Sequence, residues 1–218
     1  MLKSNTNPNL IILLSIFHIA TITASNYLVQ IPFEFLGMHT TWGAFTFPFI
    51  FLATDLTVRV YGSEHARRII FSAMFPALLI SYLISVIFVD GSFQGLESLI
   101  TFNIFVARIA VASFAAYLIG QLMDITVFNK LRQQAAWWVA PACSTIIGNL
   151  IDTISFFSLA FAGSADPFMA ANWAEIAMVD YGYKLVISLL FFLPMYGILL
   201  NKVVGKLNQS KENTVQAI

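Results

Sequence analysis

Residues 40–71 read TTWGAFTFPFIFLATDLTVRVYGSEHARRIIF, and this stretch decides the fold. Its apolar run is about as long as one bilayer-crossing helix, and a tyrosine–glycine break with Arg67 and Arg68 follows it. Asp55 lies inside the run, and Arg59 comes one helical turn later. A charged side chain costs about 2.5–3.5 kcal/mol at the centre of a membrane helix, so charges retained there indicate a partner or a function.

The composition extends this interpretation to the whole chain. Of 218 residues, 59% are hydrophobic and only 10% are charged, and the mean hydropathy is +0.81. A soluble domain of this size could not bury so much apolar surface. Each crossing needs about 20 residues, so the chain has room for about six helices and none for a soluble catalytic domain. We therefore expect one transmembrane domain, residues 1–218.

Six apolar runs, separated by polar loops or by loops with glycine and proline, predict six membrane-spanning helices. The predicted spans are about 9–29, 41–61, 69–89, 103–128, 137–161 and 174–203. They are helices rather than barrel strands because they are near 20 residues long and lack period-two alternation. The first exceeds a signal peptide in length and no small-residue cleavage site follows it, so we expect an uncleaved helix. The predicted fold class is all-α, a polytopic membrane protein.

Basic residues occur at the amino end, in the second and fourth loops and in the tail, whereas the other loops have none. They are Lys3, Arg67, Arg68, Lys130, Arg132, Lys202, Lys206 and Lys211. The positive-inside rule therefore predicts that both termini are cytoplasmic. Trp42 and Trp173 then begin spans at the outer face, and Trp137 and Trp138 begin one at the inner face, as in an aromatic belt. This charge bias is typical of a bacterial inner membrane protein.

Polar side chains from several spans reach one depth, the outer half of the predicted bundle. Asn149 and Asp152 share a face of the fifth span, and Asp180 and Lys184 are i, i+4 neighbours on the sixth. Such a cluster predicts a ligand pocket that opens to the outer surface. The candidate binding residues are Asn26, Trp42, Phe45, Arg108, Asn149, Asp152, Asp180 and Lys184.

Several of these residues have a structural alternative. Asp180 and Lys184 could simply neutralise each other inside the bundle, and Trp42 could serve only the aromatic belt. Arg108 begins a stripe of small residues at i+4 spacing, which favours close helix packing. These alternatives stay open at this point.

Three more charged residues lie toward the cytoplasmic half of the predicted bundle: Asp55, Arg59 and Asp124. We interpret them as a gate, a coupling group or a closing layer of ion pairs. Asp55 and Arg59 are also i, i+4 neighbours, and this spacing predicts a structural pair.

The motifs of soluble enzymes are absent from the sequence. It has no phosphate-binding glycine loop, no HExxH and no nucleophile elbow, and its single cysteine, Cys143, excludes an intramolecular disulfide. The basic residues set the topology, so we expect no nucleic-acid binding. No metal or cofactor is predicted. A transporter is favoured over a small membrane enzyme.

Four runs, in order along nearly the whole chain, resemble a known family. They are FPFIFLATDLTVRVYG at 47–62, GQLMDITVFNKLR at 120–132, STIIGNLIDTISFF at 144–157 and FFLPMYGILL at 191–200. In these runs the chain is similar to the queuosine precursor transporters, within the vitamin-uptake transporters. The family's T-D, Y-G and D-T motifs fall on Thr54–Asp55, Tyr61–Gly62 and Asp152–Thr153.

The resemblance implies import of 7-cyano-7-deazaguanine across the inner membrane for salvage of the tRNA base queuosine. 7-Aminomethyl-7-deazaguanine is a second candidate, and another vitamin or nucleobase-like solute is the alternative. A six-helix fold like that of the substrate-binding subunits of energy-coupling-factor transporters is also implied. The chain has no nucleotide-binding motif, so the energy source stays open between facilitated diffusion, a proton on Asp55 or another carboxylate, and an ATPase partner.

Such a ligand has a donor edge for a carboxylate, a carbonyl for an amide or cation, and a flat face for an aromatic ring. We expect Asp152 or Asp180 to accept hydrogen bonds from the donor edge. Asn149, Lys184 or Arg108 would donate to the carbonyl, and Trp42 or Phe45 would stack on the ring face.

Overall fold

The structure is a computed structural model that describes residues 8–35, 37–89, 91–133, 136–202 and 205. The described part contains six helices long and apolar enough to cross a membrane, which confirms the all-α fold class. These helices are α1 (Pro8–Leu28), α2 (Pro48–Tyr61), α3 (Ser63–Ile87), α4 (Ile104–Leu131), α5 (Val139–Phe161) and α6 (Pro167–Ile187). A 3₁₀ turn, Trp42–Phe45, precedes α2, and α6 continues through a π-helical stretch, Ser188–Phe192, to Lys202.

Three helices extend beyond the spans predicted from hydropathy, because local capping rather than apolar content sets their ends. The side chain of Asp166 accepts a hydrogen bond of 3.0 Å from the Met169 amide, and Pro167 occupies the first turn, so α6 begins seven residues before position 174. Gly62, at φ +93°, separates α2 from α3, which begins at Ser63 instead of 69. At the other end of its helix, α4 reaches Leu131 instead of 128.

These longer helices change the placement of some basic residues. Arg67 and Arg68 lie in the first turns of α3, and Lys130 lies in the last turn of α4, rather than in loops. Lys3, Lys206 and Lys211, and the predicted end of the sixth span at 203, lie outside the described residues. The orientation of the termini stays a prediction.

The stretch after α1, predicted as a plain loop from Pro32 and Gly37, is a β-hairpin. Its strands are β1 (Pro32–Phe35) and β2 (Met38–Thr41), paired antiparallel with Pro32 opposite Thr41. A second, smaller hairpin joins β3 (Phe88–Val89) to β4 (Ser92–Phe93) in the predicted third loop. Strand β2 packs on α6, and the 3₁₀ turn packs on both α1 and α6. The first hairpin therefore fixes the position of the turn.

Helices α4 and α5 form the tightest contact in the bundle. Each carries a glycine four residues before an aspartate, in GQLMD at 120–124 and GNLID at 148–152. The pair is antiparallel, so each glycine faces the other helix's aspartate. A Cβ on Gly120 would lie 2.8 Å from Asp152 Cβ, and one on Gly148 would lie 3.1 Å from Asp124 Cβ. Only glycine allows this approach, which puts both aspartates at the helix crossing.

The apolar core lies on both sides of this pair. One cluster joins α2, α3 and α4 to the end of the last helix, with Phe51, Ile70 and Phe128 among its buried side chains. The other joins α4, α5 and α6 around Phe157 and Ile176. The two aspartates of the α4–α5 crossing thus lie between two apolar clusters.

We expect Gly120→Ala to destabilise the protein, because the added methyl group would overlap Asp152 and separate α4 from α5. Overpacking of this kind costs about 1–3 kcal/mol. Thermal denaturation in detergent measures the effect. Gly182→Ala is the matched control, since Gly182 also lies in a helix and a Cβ there would have nothing within 4 Å. Equal melting temperatures for the two variants would contradict the close contact.

The predicted orientation is tested by labelling single cysteines from outside the cell with an impermeant maleimide. In a Cys143→Ser background, Ala165→Cys lies in an exposed loop between α5 and α6, and Gln133→Cys lies in an exposed loop after α4. Because the positive-inside rule puts these loops on opposite sides, position 165 should react and position 133 should not. The reverse pattern would invert the topology.

Candidate functional site

A small cavity, here called the Asp152 cavity, lies between α1, the 3₁₀ turn, α4, α5 and α6. Its polar lining residues are Ser25, Asn26, Ser113, Asp152, Asp180 and Lys184. Phe47, Phe156 and Phe157 supply aromatic walls. The volume is about 20 Å³, room for about one water molecule. The structure therefore holds this site closed.

Three charged side chains meet in this cavity. Lys184 Nζ lies 2.7 Å from Asp180 Oδ2 and 3.9 Å from Asp152 Oδ2. It also donates a hydrogen bond of 3.2 Å to Thr153 Oγ1. The side chains of Lys184, Asp180 and Asp152 are only 7%, 1% and 4% exposed. With all three ionised, the cluster carries a net charge of −1, and Asp152 is its less tightly paired carboxylate.

The ammonium group of Lys184 has a further neighbour, the ring of Phe47, whose centroid lies 5.1 Å from Nζ. A ring face attracts a cation at this distance. The lysine is therefore held by both an ion pair and an aromatic wall. Both interpretations of Asp180 and Lys184 fit this geometry, since the two side chains neutralise each other and also line the cavity.

Among the described residues that line this cavity, Asn26 carries an unpartnered amide donor. Asn26 is 5% exposed and lines the cavity. Its Nδ2 has no hydrogen-bond partner within the part of the chain that the structure describes. Buried donors are usually satisfied, so an unsatisfied one in a cavity wall is available to a ligand acceptor.

Four predicted binding residues are not brought into the cavity wall. The guanidinium of Arg108 donates to the carbonyls of Leu159, Ala162 and Gly163, at 2.8, 2.5 and 3.2 Å. It therefore caps the carboxyl end of α5, whose last carbonyls have no partners within the helix. Asn149 is fully buried outside the lining, and neither atom of its amide has a hydrogen-bond partner in the described chain.

The other two are Trp42 and Phe45, which were expected to cover the pocket. They are 48% and 38% exposed, and their rings stack on Phe33 with centroids 4.6 and 6.2 Å away. The aromatic walls come instead from Phe47, Phe156 and Phe157. The sequence offered one signal for these: Phe156 follows Asp152 by four residues and so shares its helix face.

A second group of charged residues surrounds Asp55 and differs from the expected ion-pair layer. The carboxyl groups of Asp55 and Asp124 face each other, and Ser144 Oγ donates to Asp55 Oδ1 at 3.2 Å. The predicted Asp55–Arg59 pair is wrong. Arg59 donates instead to the backbone carbonyl of Arg132, just after α4, because carbonyls at a helix end need donors.

The chain matches known transporters over most of its length. The family model described as "Putative vitamin uptake transporter" matches residues 41–199. The chain is 60% identical over 205 residues to the queuosine precursor transporter of Escherichia coli K12, covering 94% of this chain and 93% of that protein. It is 55% identical to a probable queuosine precursor transporter of Haemophilus influenzae, covering 95% and 93%. A Bacillus subtilis protein of that name is 26% identical over 78% of this chain and 76% of its own. No solved structure matches.

Lys184→Met should strongly destabilise the protein, since it leaves Asp152 and Asp180 buried without their cation, a loss of about 3–5 kcal/mol. The double variant Asp180→Asn with Lys184→Met should recover much of this stability, because it removes one charge of each sign. Thermal denaturation of purified protein in detergent measures both.

Arg68→Met is the matched control, because it breaks an i, i+4 pair with Glu64 that is exposed at both ends and should change little. If the double variant is no more stable than Lys184→Met, then Asp180 and Lys184 do not stabilise the protein by neutralising each other's charge.

Proposed function

Because the chain belongs to the queuosine precursor transporter family, we propose that it imports 7-cyano-7-deazaguanine through the Asp152 cavity. The chain is a transporter, not an enzyme, and a multi-pass protein of the bacterial inner membrane. We propose that it acts as a single domain, that 7-aminomethyl-7-deazaguanine is a second candidate substrate, and that the imported base supplies tRNA queuosine.

The observation that carries the proposal is a buried carboxylate with free acceptor capacity, beside an unpaired buried amide donor. Asp180 holds Lys184 at 2.7 Å, whereas Asp152 lies 3.9 Å from the same ammonium. Asp152 can therefore accept two hydrogen bonds from the ring N–H and the exocyclic amine of a deazaguanine. Asn26 Nδ2, unpartnered in the described chain, can donate to the carbonyl of the base.

The aromatic walls of the cavity complete this match. Phe156 and Phe157 follow Asp152 on α5, and Phe47 lies across the cavity. Flat rings pack on aromatic faces, so these three side chains suit the bicyclic base. Lys184 remains a second possible donor to its carbonyl. Arg108 and Asn149 lie outside this assignment.

The cavity must open before it can hold a base. Its volume is about 20 Å³, whereas pockets for small molecules span about 300–1,000 Å³. The 3₁₀ turn is the element that we propose moves, because Gly43 lines the cavity while Trp42 and Phe45 lie on the exposed side of the same turn. These two rings would then form the rim of the open site.

The second charged group would serve the other side of the transport path. In alternating access, one side of a central site closes while the other opens. Asp124 lies one turn along α4 from Gly120, where Asp152 packs. Asp55, on α2, faces Asp124, and Arg59 ties α2 to the end of α4. We propose that these three residues take part in gating or coupling.

Asp152→Asn should reduce uptake of labelled 7-cyano-7-deazaguanine by about 10- to 100-fold. The variant loses a hydrogen bond to a charged group, which contributes about 1.5–3 kcal/mol to binding. The measurement is uptake by cells that lack other queuosine precursor transporters, at equal amounts of protein in the membrane. Glu175→Gln is the matched control, because Glu175 is an exposed carboxylate on α6 and should transport normally.

Normal transport by both Asp152→Asn and Asp180→Asn would refute the Asp152 cavity as the binding site. Binding measured on purified protein adds an independent check on the class of function. A carrier returns the deazaguanine unchanged, whereas recovery of a chemically altered product would indicate an enzyme.

A further inference from the structure

Asp55 of α2 and Asp124 of α4 form a carboxylate site separate from the Asp152 cavity. They are 2% and 0% exposed, and their carboxyl groups face each other within hydrogen-bonding reach. The neutral hydroxyl of Ser144 lies close enough to interact with Asp124 as well, although no hydrogen bond of good geometry reaches either oxygen of Asp124 within the part of the chain that the structure describes. Two ionised carboxylates in contact repel each other, and a hydrogen bond between them exists only when one carries a proton.

Among the described residues, no ion pair offsets this repulsion. Ser144 Oγ reaches the two oxygens of Asp55 at 3.2 and 3.5 Å, but a hydroxyl is neutral. The ion pairs of the described residues do not include Asp55 or Asp124. With both groups ionised, the site would hold a charge of −2 between membrane helices, which is costly without a cation.

A small cavity, here called the Asp55 cavity, adjoins this pair. It lies between α2, α5 and the segment 188–196, with a volume of about 20 Å³, room for about one water molecule. Ser188 and Tyr196 line it beside Asp55. Their hydroxyl oxygens are buried and unpartnered among the described residues. The π-helical stretch Ser188–Phe192 forms one wall, and such stretches are frequent at functional sites.

The other ionisable groups around the pair do not replace the missing charge. Tyr196 approaches from the last helix as a neutral hydroxyl. Arg59, on α2, points to the carbonyl of Arg132, and Arg132 donates to the carbonyl of Val58 at 3.1 Å. Both guanidinium groups therefore donate to backbone oxygens, and neither forms an ion pair with Asp55 or Asp124 among the described residues.

We propose that Asp55 and Asp124 bind one proton, shared between their carboxyl groups, and that this proton drives import of the base. The proposal rests on the proposed function. The proton forms an O–H bond on one carboxyl group, donates a hydrogen bond to the other, and leaves to water in the Asp55 cavity. A metal ion fits less well, because Mg²⁺ and Ca²⁺ take about six to eight oxygen ligands, and the described residues bring no three His, Cys, Asp or Glu side chains together as a metal site.

The α4–α5 contact links this site to the Asp152 cavity. Asp124 packs on Gly148, and Asp152 packs on Gly120. The two contacts are four residues apart on each helix, about 6 Å along the axis. A shift of α4 against α5 at one contact must therefore move the other, which gives a protonation change at Asp124 a direct route to the substrate site.

The test uses the full chain purified into liposomes, with 7-cyano-7-deazaguanine as the probe. An imposed pH gradient should raise accumulation several-fold in the wild-type protein, and a protonophore should abolish the increase. Asp124→Asn should still bind the base but should lose the response to the gradient, because an amide cannot share the proton. Glu175→Gln, the exposed carboxylate on α6, is the control and should respond normally.

A second readout reports the proton itself. The infrared band of a buried carboxylic acid should be present in the wild-type protein and lost in Asp124→Asn, a change that a purely structural role would not cause. If Asp124→Asn fails to fold, Ser144→Ala replaces it and should shift the pH dependence of accumulation, since it removes the donor to Asp55.

The outcomes separate this proposal from the proposed function. If the protein binds the base but a pH gradient does not change its uptake, the proposed proton site is wrong and the transporter assignment stands. Accumulation driven by a sodium gradient without a pH gradient would overturn it in favour of sodium. Failure to bind the base at all would refute the proposed function first.

Discussion

The close contact between α4 and α5 is the constraint on which both charged sites depend. A glycine on each helix lets the backbones approach until the opposing aspartate lies against them, with Gly120 facing Asp152 and Gly148 facing Asp124. A single methyl group at either glycine would be too close to its neighbours. The glycine-to-aspartate spacing occurs once on each of these two antiparallel helices. The same glycine–aspartate contact therefore forms twice along the helix pair, and each contact places one aspartate in a charged site.

The two sites differ in charge balance because their neighbouring basic side chains have different partners. Asp180 and Asp55 each precede a basic residue by four positions, Lys184 and Arg59 respectively. Lys184 stays with its carboxylate at 2.7 Å, whereas Arg59 turns to a backbone carbonyl after α4. A long, planar guanidinium near a helix end can satisfy carbonyls there, and a compact ammonium in the middle of the bundle cannot. One site therefore keeps its charge balance nearly intact, and the other needs a cation from elsewhere.

The sequence predicted the membrane class and six helices, because these depend on length and hydropathy. It predicted that Asp152, Asp180 and Lys184 share one level, and the structure brings them together. Depth does not determine the direction in which a side chain points. Trp42 and Phe45 belong to the 3₁₀ turn beside the cavity but face outward, since the rotation of a short 3₁₀ turn is fixed by the hairpin before it.

Long side chains and helix ends account for the remaining differences. Arg108 reaches carbonyls at the end of α5, and this depends on where that helix stops rather than on spacing within α4. Helix ends in turn follow capping side chains such as Asp166, which hydropathy does not report. The first hairpin was not predicted because proline and glycine occur both in plain loops and at the turns of two-stranded hairpins.

The side of the Asp152 cavity that the 3₁₀ turn forms is closely packed, but among the described residues a single long side-chain hydrogen bond joins it to α1. There the 3₁₀ turn rests on α1, where a Cβ on Gly43 would lie 3.0 Å from the Ser25 carbonyl oxygen, and a long hydrogen bond of 3.4 Å joins Ser25 Oγ to the Gly43 carbonyl. No ion pair of the described residues crosses this contact. The opposite side is closed by the α4–α5 crossing and by buried rings such as Phe51 and Phe128. Elements that move in function come from the less stable parts of a fold, and this favours our proposal that the cavity opens at the turn.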